Sequence, residues 1–254
     1  MYQKPQTPLS IGGVLDDGFQ LTKAAYGQIF VIALIGSIVG NAPAALLGVD
    51  AADPENALGL AGLLFLFVVP LSILFFAWAL CRTQGIAEGR PMDLSESLAV
   101  ALKKFFPALV ATILYALIIM LGFLALVVPG IILAMTLLFA PYLVVTDGCG
   151  VIESIRRSHN LVWGNWWRTA ALFLVVGFVL IVFYALVGAA AVMAEIAGDP
   201  ADATIVTGVL NWIVIPAIQA LYMPVLYCFT VAILNDLKLR REGGDLAARL
   251  EATD

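Results

Sequence analysis

Long apolar runs, separated by short polar segments, dominate the hydrophobic pattern of the chain. A bilayer-spanning helix needs about 20 apolar residues, and three runs without any Asp, Glu, Lys or Arg reach that length: Ala25–Gly48, Ala57–Cys81 and Thr169–Met193. A fourth run, Ile205–Leu234, is longer and contains Pro216 and Pro224, so a tilted or kinked helix is expected there.

The uncharged stretch from Phe105 to Thr146 is too long for one span, because a single helix would be about twice the hydrocarbon thickness. Pro129-Gly130 is the strongest turn signal within it. We therefore expect two spans here, Phe106–Val128 and Gly130–Thr146. The pattern predicts an all-α polytopic membrane protein with six transmembrane helices arranged as three hairpins.

The charges divide between the two sides of this arrangement. All 13 Lys and Arg residues fall in the N-terminal segment, the second and fourth loops and the C-terminal segment. The two opposite loops carry only acids: Asp50, Asp53, Glu55, Glu195, Asp199 and Asp202. The positive-inside rule then predicts that both termini are cytoplasmic.

Composition supports a membrane protein and argues against several other classes. Hydrophobic residues make up 62% of the chain and charged residues 12%, whereas soluble domains have about 25% charged residues. The mean hydropathy is +1.01 and the pI is about 4.8, so nucleic-acid binding has no support. The three cysteines and one histidine show no metal-site spacing, and we expect neither a metal nor a cofactor.

The stretch Ser154–Ala170 gathers three of the five tryptophans and three arginines. On a helical wheel, six residues share one face about 100° wide: Ile152, Ile155, His159, Val162, Trp163 and Trp166. We interpret the stretch as an amphipathic helix at the inner membrane surface, in contact with membrane lipids. The expected interfacial anchors are Arg156, Arg157, Trp163, Trp166, Trp167 and Arg168. Arg157, on the opposite face, is expected to point to solvent and headgroups and to tolerate replacement.

Two other segments occupy similar positions in the chain. Val14–Phe30 aligns without gaps to Val151–Trp167, and Leu94–Phe105 leads into the third span. We therefore predict one integral-membrane domain, 1–254, built from three parallel units, each an amphipathic interfacial helix followed by a hairpin. The predicted units are 9–88, 89–147 and 148–238, followed by a charged tail, 239–254. Their first-turn acids, Asp16, Glu96 and Glu153, suit the helix dipole; a carboxylate ring binding a cation is the alternative.

Few polar residues lie within the spans. Asn211, Gln219 and Tyr222 fall on neighbouring sides of the sixth helix, where they either form interhelical hydrogen bonds or line a cavity. Gly36 and Gly40 form a G-x-x-x-G pattern typical of close helix contact.

Catalytic chemistry has little support in the sequence. His159 is interpreted as a packed residue rather than a pH sensor or catalyst. None of the six predicted spans contains an ionisable acid, base or histidine, and no hydrolase, zinc-protease or P-loop motif occurs. We therefore expect no catalytic residues and no coupling of transport to an ion gradient.

The segment Val127–Ala171 resembles the YciC-like family of bacterial inner-membrane proteins. It also resembles the related membrane domain of some glycerophosphodiester phosphodiesterases. The resemblance rests on these features of the segment: Pro129-Gly130, Ala140-Pro141, Arg156-Arg157-Ser158, Gly164 and Trp167-Arg168. It implies a multi-span fold in the inner membrane. The phosphodiesterase barrel has no counterpart in this chain, so its catalysis is not implied.

These observations favour a non-enzymatic, multi-pass inner-membrane protein with a structural or lipid-associated role in the envelope. A channel or carrier for a neutral or lipidic small molecule is the alternative, and a membrane-embedded enzyme comes third. A lateral apolar opening would favour lipid handling, whereas a continuous polar cavity would favour transport.

Overall fold

The computed structural model describes residues 2–47, 60–197 and 209–251, and these ranges contain helices and short connections but no strand. The helices are α1 (Ile11–Leu47), α2 (Leu60–Ala87), α3 (Leu94–Ala125), α4 (Val127–Thr136), α5 (Ala140–Asp147), α6 (Val151–Trp163), α7 (Trp166–Ala197) and α8 (Ile215–Glu251), the last preceded by a π-helical turn, Leu210–Val214. The all-helical expectation is confirmed for the described residues.

Five stretches of the described residues are long and apolar enough to cross a membrane. They are Ile11–Ala42, Leu66–Ala87, Leu94–Ala125, Val127–Asp147 and Trp212–Gly243. In α7, the shorter segment Trp166–Phe178 is also apolar. Of the acids predicted in the opposite loops, Glu195 lies near the end of α7, and the other five lie outside the described residues.

The predicted surface helices of the first two units are not separate helices. Val14–Phe30 lies within α1, and Leu94–Phe105 lies within α3, each continuous with the apolar segment that follows. Neither junction contains a break, and Pro107 is accommodated inside α3. In the third unit a turn at Gly164 and Asn165 separates α6 from α7. Only this unit therefore has a surface helix separate from the apolar helix that follows.

The α3–α4 hairpin turns earlier than the sequence suggested. Leu126 has an extended backbone and separates the two helices, whereas Pro129 and Gly130 lie inside α4. Proline is tolerated there because the first helical turn has no intrahelical acceptor for its missing N–H. A Cβ on Gly130 would lie 2.6 Å from the Phe123 ring, so the glycine is what allows the hairpin to close.

The segment expected as the fourth span is interrupted in the middle. Helix α4 ends at Thr136 and α5 begins at Ala140. Pro141, in the first turn of α5, cannot donate a backbone hydrogen bond to the preceding turn. A short non-α connection therefore divides the segment into two helices.

The core has two parts that meet along α8. The first lies between α1, α2, α3 and α8 and includes Leu21, Ile29, Ala77, Leu80, Ala101 and Val231. The second joins the start of α1 to α5, α6, α7 and α8 and includes Val14, Phe139, Leu143, Leu161, Leu172 and Leu234. Helix α8 thus packs against both halves of the bundle.

Basic residues bind groups from neighbouring helices at one end of the bundle. Lys104 Nζ, early in α3, donates to the carbonyl of Val145 at the end of α5 at 2.6 Å. Arg82, near the end of α2, donates to Gln28 Oε1 of α1 at 2.7 Å and to the carbonyl of Met92 at 2.9 Å. These contacts bring basic residues of α2 and α3 against α1, the α2–α3 connection and the end of α5.

Candidate functional site

Helix α6 packs on the bundle through a face that sequence reasoning missed. Its buried residues are Ser154, Ser158, Leu161 and Val162. Two serines spaced by four residues give a narrow, small-residue stripe, which lets the helix approach α3, α4 and α5 closely. The four-residue spacing of the two serines was the available signal, whereas the large apolar residues of the helix pointed to a different face.

Ser158 closes the break between α4 and α5. Its hydroxyl donates to the carbonyl of Thr136 at 2.8 Å and accepts from the backbone N–H of Phe139 at 3.2 Å. Both groups lie beside the interruption between the helices, where regular helical pairing stops. One buried side chain therefore satisfies two backbone groups in an apolar environment.

The face predicted to be apolar is divided between the bundle and the surface. Val162 is buried against the bundle, whereas Ile152 and Trp163 are exposed. His159 stacks on Trp163 with ring centroids 5.1 Å apart. Trp166 and Trp167 make an edge-to-face contact at 4.7 Å. The exposed aromatic residues thus continue from the end of α6 into the start of α7.

A lateral groove of about 650 Å³ lies beside these aromatic residues. One wall comes from α4, and the other from the α6–α7 turn. The lining residues are Val128, Ile131, Ile132, Trp163, Gly164, Asn165, Trp166, Trp167 and Arg168. Val128 and Trp167 are strongly exposed, Trp167 by 81%, so the groove opens at the side of the bundle.

Arg168 connects the groove to a buried carboxylate. Its guanidinium lies 3.1 Å from Asp236 Oδ2, and Asp236 is 3% exposed. Arg240 also pairs with Asp236, at 2.9 Å. Asp236 Oδ1 accepts the backbone N–H of Leu9 at 2.8 Å, while Arg168 donates to the carbonyl of Leu9 at 2.7 Å. This cluster ties the N-terminal segment to α7 and α8, and no local pattern in the sequence predicts it.

A second ionic cluster corrects the expectation for Arg157. Arg157 Nη1 lies 2.6 Å from Asp147 Oδ2, and its Nη2 lies 2.5 Å from Glu242 Oε1. Lys238 pairs with the other oxygen of Asp147 at 2.5 Å. Although burial opposes the charge, the hydrogen bond to Glu242 and the charge of Asp147 raise the pKa of Arg157. Arg157 therefore connects α5, α6 and α8 instead of facing solvent freely.

Two of the three polar residues predicted in the sixth span, Gln219 and Tyr222, contact different helices. Gln219 Oε1 accepts from Asn41 Nδ2 at 2.7 Å and borders a cavity of about 180 Å³ between α1, α2 and α8. Tyr222 instead donates to the carbonyl of Val176 in α7 at 2.9 Å. The side chain of Asn211 lies outside what the structure describes.

The two glycines of the G-x-x-x-G pattern lie where α1 meets α2. A Cβ on Gly36 would lie 3.1 Å from the Cβ of Phe75, and one on Gly40 would lie 3.6 Å from Ser72 Oγ. Both glycines also line the cavity that Gln219 borders. The close approach of the helices and the cavity are therefore adjacent features.

Comparison with known proteins identifies a family without an assigned function. The model of UPF0259, an uncharacterised protein family, matches residues 61–229. A UPF0259 membrane protein of Pectobacterium carotovorum is 29% identical over 99 residues, covering 39% of this chain and 40% of the relative. A UPF0259 membrane protein of Sodalis glossinidius is 27% identical over 94 residues, covering 37% of this chain and 38% of the relative. The matched region thus spans about 40% of the length of these curated relatives. No solved structure matches the chain.

Proposed function

Because the chain belongs to the UPF0259 family, whose curated relatives are named membrane proteins, we propose that it is a non-enzymatic inner-membrane protein with a lipid-associated role. The lateral groove holds a lipid acyl chain between α4 and the α6–α7 turn. The topology has six spans, with α7 as the fifth and both termini in the cytoplasm. The resemblance of Val127–Ala171 to YciC-like proteins supports the inner-membrane location.

The one-sided distribution of basic residues supports this orientation. Arg82 and Lys104 belong to different helices, and each binds a backbone carbonyl near the end of a neighbouring helix. Arg168, at the start of α7, binds Asp236 of α8, which follows the apolar run of that helix. Lys and Arg concentrate in cytoplasmic loops. Helix α6 then lies near the inner surface, with Trp163 and Trp167 at headgroup depth.

The groove is the observation that carries the lipid-associated role. Its α4 wall consists of the branched aliphatic side chains Val128, Ile131 and Ile132, and its other wall is rich in indole rings. Aliphatic walls suit a lipid acyl chain, and tryptophan is enriched at the depth where lipid acyl chains meet the headgroups. The opening faces sideways, so a bilayer lipid can enter without crossing the bundle.

A filled-groove variant tests the proposal. Ile131→Trp adds a bulky ring at a lining residue that is 44% exposed. Ile113→Trp is the matched control, because Ile113 is 48% exposed on α3 and does not line the groove. Each protein is extracted from membranes in mild detergent, washed, and analysed for retained phospholipid per protein by mass spectrometry.

We expect Ile131→Trp to lower the retained phospholipid, while Ile113→Trp stays at the wild-type level. Circular dichroism and elution volume verify that both variants remain folded. Equal retention by all three folded proteins would contradict acyl-chain binding in the groove.

The second candidate is passage of a small neutral molecule, and the cavity beside Gln219 favours it. Ser37 and Gln219 give this cavity polar groups between otherwise apolar helices. The rate at which candidate neutral solutes enter liposomes that contain the protein tests this passage. Faster entry than into protein-free liposomes, lost in Gln219→Leu, would favour this candidate over the lipid-associated role.

A further inference from the structure

Hydrogen-bond donors gather at one end of the lateral groove. Arg168 and the Asn165 amide line that end, and the indole Nε1 of Trp166 is buried without an acceptor among the described residues. Buried donors in proteins are almost always paired with an acceptor. The arrangement therefore favours a ligand that brings acceptor oxygens to this end of the groove.

Arg241 adds a further cation beside the same end. Its guanidinium packs directly on Gly164, where an added Cβ would overlap it. Arg241 is exposed and has no carboxylate partner within the described ranges. Gly164 itself lines the groove. The absence of a side chain at this turn brings the cation close to the groove.

The nearby carboxylate does not neutralise this end of the groove. Arg168 and Arg240 share Asp236, so these three side chains together carry a net charge of +1. Glu242 and Asp147 are paired with Arg157, and Asp147 also with Lys238. The first turn of α7 contributes the partial positive charge of a helix N-terminus. Excess positive charge and unused donors thus occur together at the end of an apolar groove.

We propose that the groove selects an anionic phospholipid. Its phosphate oxygens bind at Arg168, Arg241 and the Trp166 indole N–H, and one acyl chain lies along Val128, Ile131 and Ile132. The selection rests on the proposed lipid-associated function and adds a headgroup preference to it. A zwitterionic lipid gains less, because its own cationic group is repelled by the same arginines.

The test measures which lipid the protein retains. The full-length chain is placed in nanodiscs containing equal amounts of phosphatidylglycerol and phosphatidylcholine, then extracted in mild detergent. Mass spectrometry gives both the total retained lipid and the ratio of the two lipids. We expect phosphatidylglycerol to exceed phosphatidylcholine in the retained fraction.

Two variants locate the preference, each with a matched control. Arg241→Gln should reduce the phosphatidylglycerol excess roughly fivefold, the effect of one cation near a membrane surface, without lowering the total retained lipid. Arg90→Gln, at an exposed position away from the groove, should leave the ratio unchanged. Trp166→Phe keeps an aromatic ring but removes the N–H and should also lower the ratio, whereas Trp212→Phe should not.

The remaining outcomes separate the two proposals. If the retained phosphatidylglycerol and phosphatidylcholine have the same ratio as in the nanodisc bilayer, the headgroup preference is wrong and the acyl-chain proposal still stands. If the folded wild-type protein retains no lipid, both the headgroup preference and the acyl-chain proposal are wrong. Displacement of phosphatidylglycerol by inorganic phosphate in the buffer would reveal a site for free anions and overturn selection of a lipid.

Discussion

The carboxylate of Asp236 binds the guanidinium of Arg168 at 3.1 Å although 68 residues separate them in the chain. The same carboxylate holds Arg240 and the backbone N–H of Leu9. Three parts of the chain, the N-terminal segment, α7 and α8, therefore depend on one buried acid.

Asp236→Asn should strongly destabilise the protein. The substitution removes the negative charge shared by two arginines, and loss of one partner of a buried ion pair costs about 3–5 kcal/mol. The measurement is thermal unfolding in detergent followed by circular dichroism. Glu96→Gln, an exposed acid in the first turn of α3, should shift the unfolding temperature little. Similar temperatures for the two variants would show that the cluster does not stabilise the fold.

Apolar runs predicted most of the helices because the signal for a membrane span is local and long. The prediction was wrong where an expected surface helix and the span after it form one continuous helix. Val14–Phe30 is amphipathic in sequence, yet it lies inside α1, because amphipathic character alone does not break a helix. The break before α7 occurs instead at Gly164 and Asn165.

The candidate site was only partly predictable for a different reason. The local density of tryptophan and arginine predicts an interfacial role for Trp163, Trp166, Trp167 and Arg168, and all four line the groove. Residues on α4 that form the other wall look like any lipid-facing aliphatic residues in sequence. Asp236 follows an apolar run, and the sequence does not predict its binding to Arg168, because pairing between distant segments depends on how the helices pack.

Ser158→Ala should destabilise the packing of α6 on α4 and α5. The change leaves the buried N–H of Phe139 without its side-chain acceptor, at a cost of about 1–3 kcal/mol. Ser95→Ala, at an exposed position in α3, is the control and should be nearly neutral. Thermal unfolding measures the difference in stability between the two variants. Equal stability would contradict the role of Ser158 in joining α6 to the break between α4 and α5.

Arg157→Gln should destabilise the protein more than Arg156→Gln. Arg157 pairs with Asp147 and Glu242 but is 29% exposed, so solvent screening limits the expected loss to about 1 kcal/mol. Arg156 is exposed and has no ion pair within the described ranges. Unfolding temperatures measured at low and high salt provide the check, because screening should narrow the difference between the variants. The opposite order of stability would be evidence against the Arg157 cluster.

Cys149 should react slowly with water-soluble thiol reagents. Burial raises the pKa of the Cys149 thiol, and the nearby charge of Asp147 adds to this. Only the thiolate is nucleophilic, so between pH 7 and 9 its labelling rate should rise more steeply than that of an ordinary thiol, whose pKa of about 8.5 lies inside this range. Maleimide labelling from pH 7 to 9 measures the rates, with Cys81 and Cys228 replaced by alanine. A cysteine at exposed Ser95 in a chain lacking all three native cysteines is the comparison, and identical pH profiles would contradict the shift.

The proposed orientation of the chain predicts which engineered cysteines can be reached from outside the cell. Lys and Arg remain on the cytoplasmic side, and the two loops predicted to face outward contain acids but no bases. In a chain lacking its native cysteines, Asp53→Cys and Asp199→Cys should react with an impermeant maleimide in intact cells whose outer membrane admits the reagent. Arg90→Cys should react only after the inner membrane is permeabilised, which also verifies that this cysteine is accessible. Labelling of Arg90→Cys in intact cells, with protection of the other two positions, would reverse the orientation and place Trp163 and Arg168 at the outer face of the membrane.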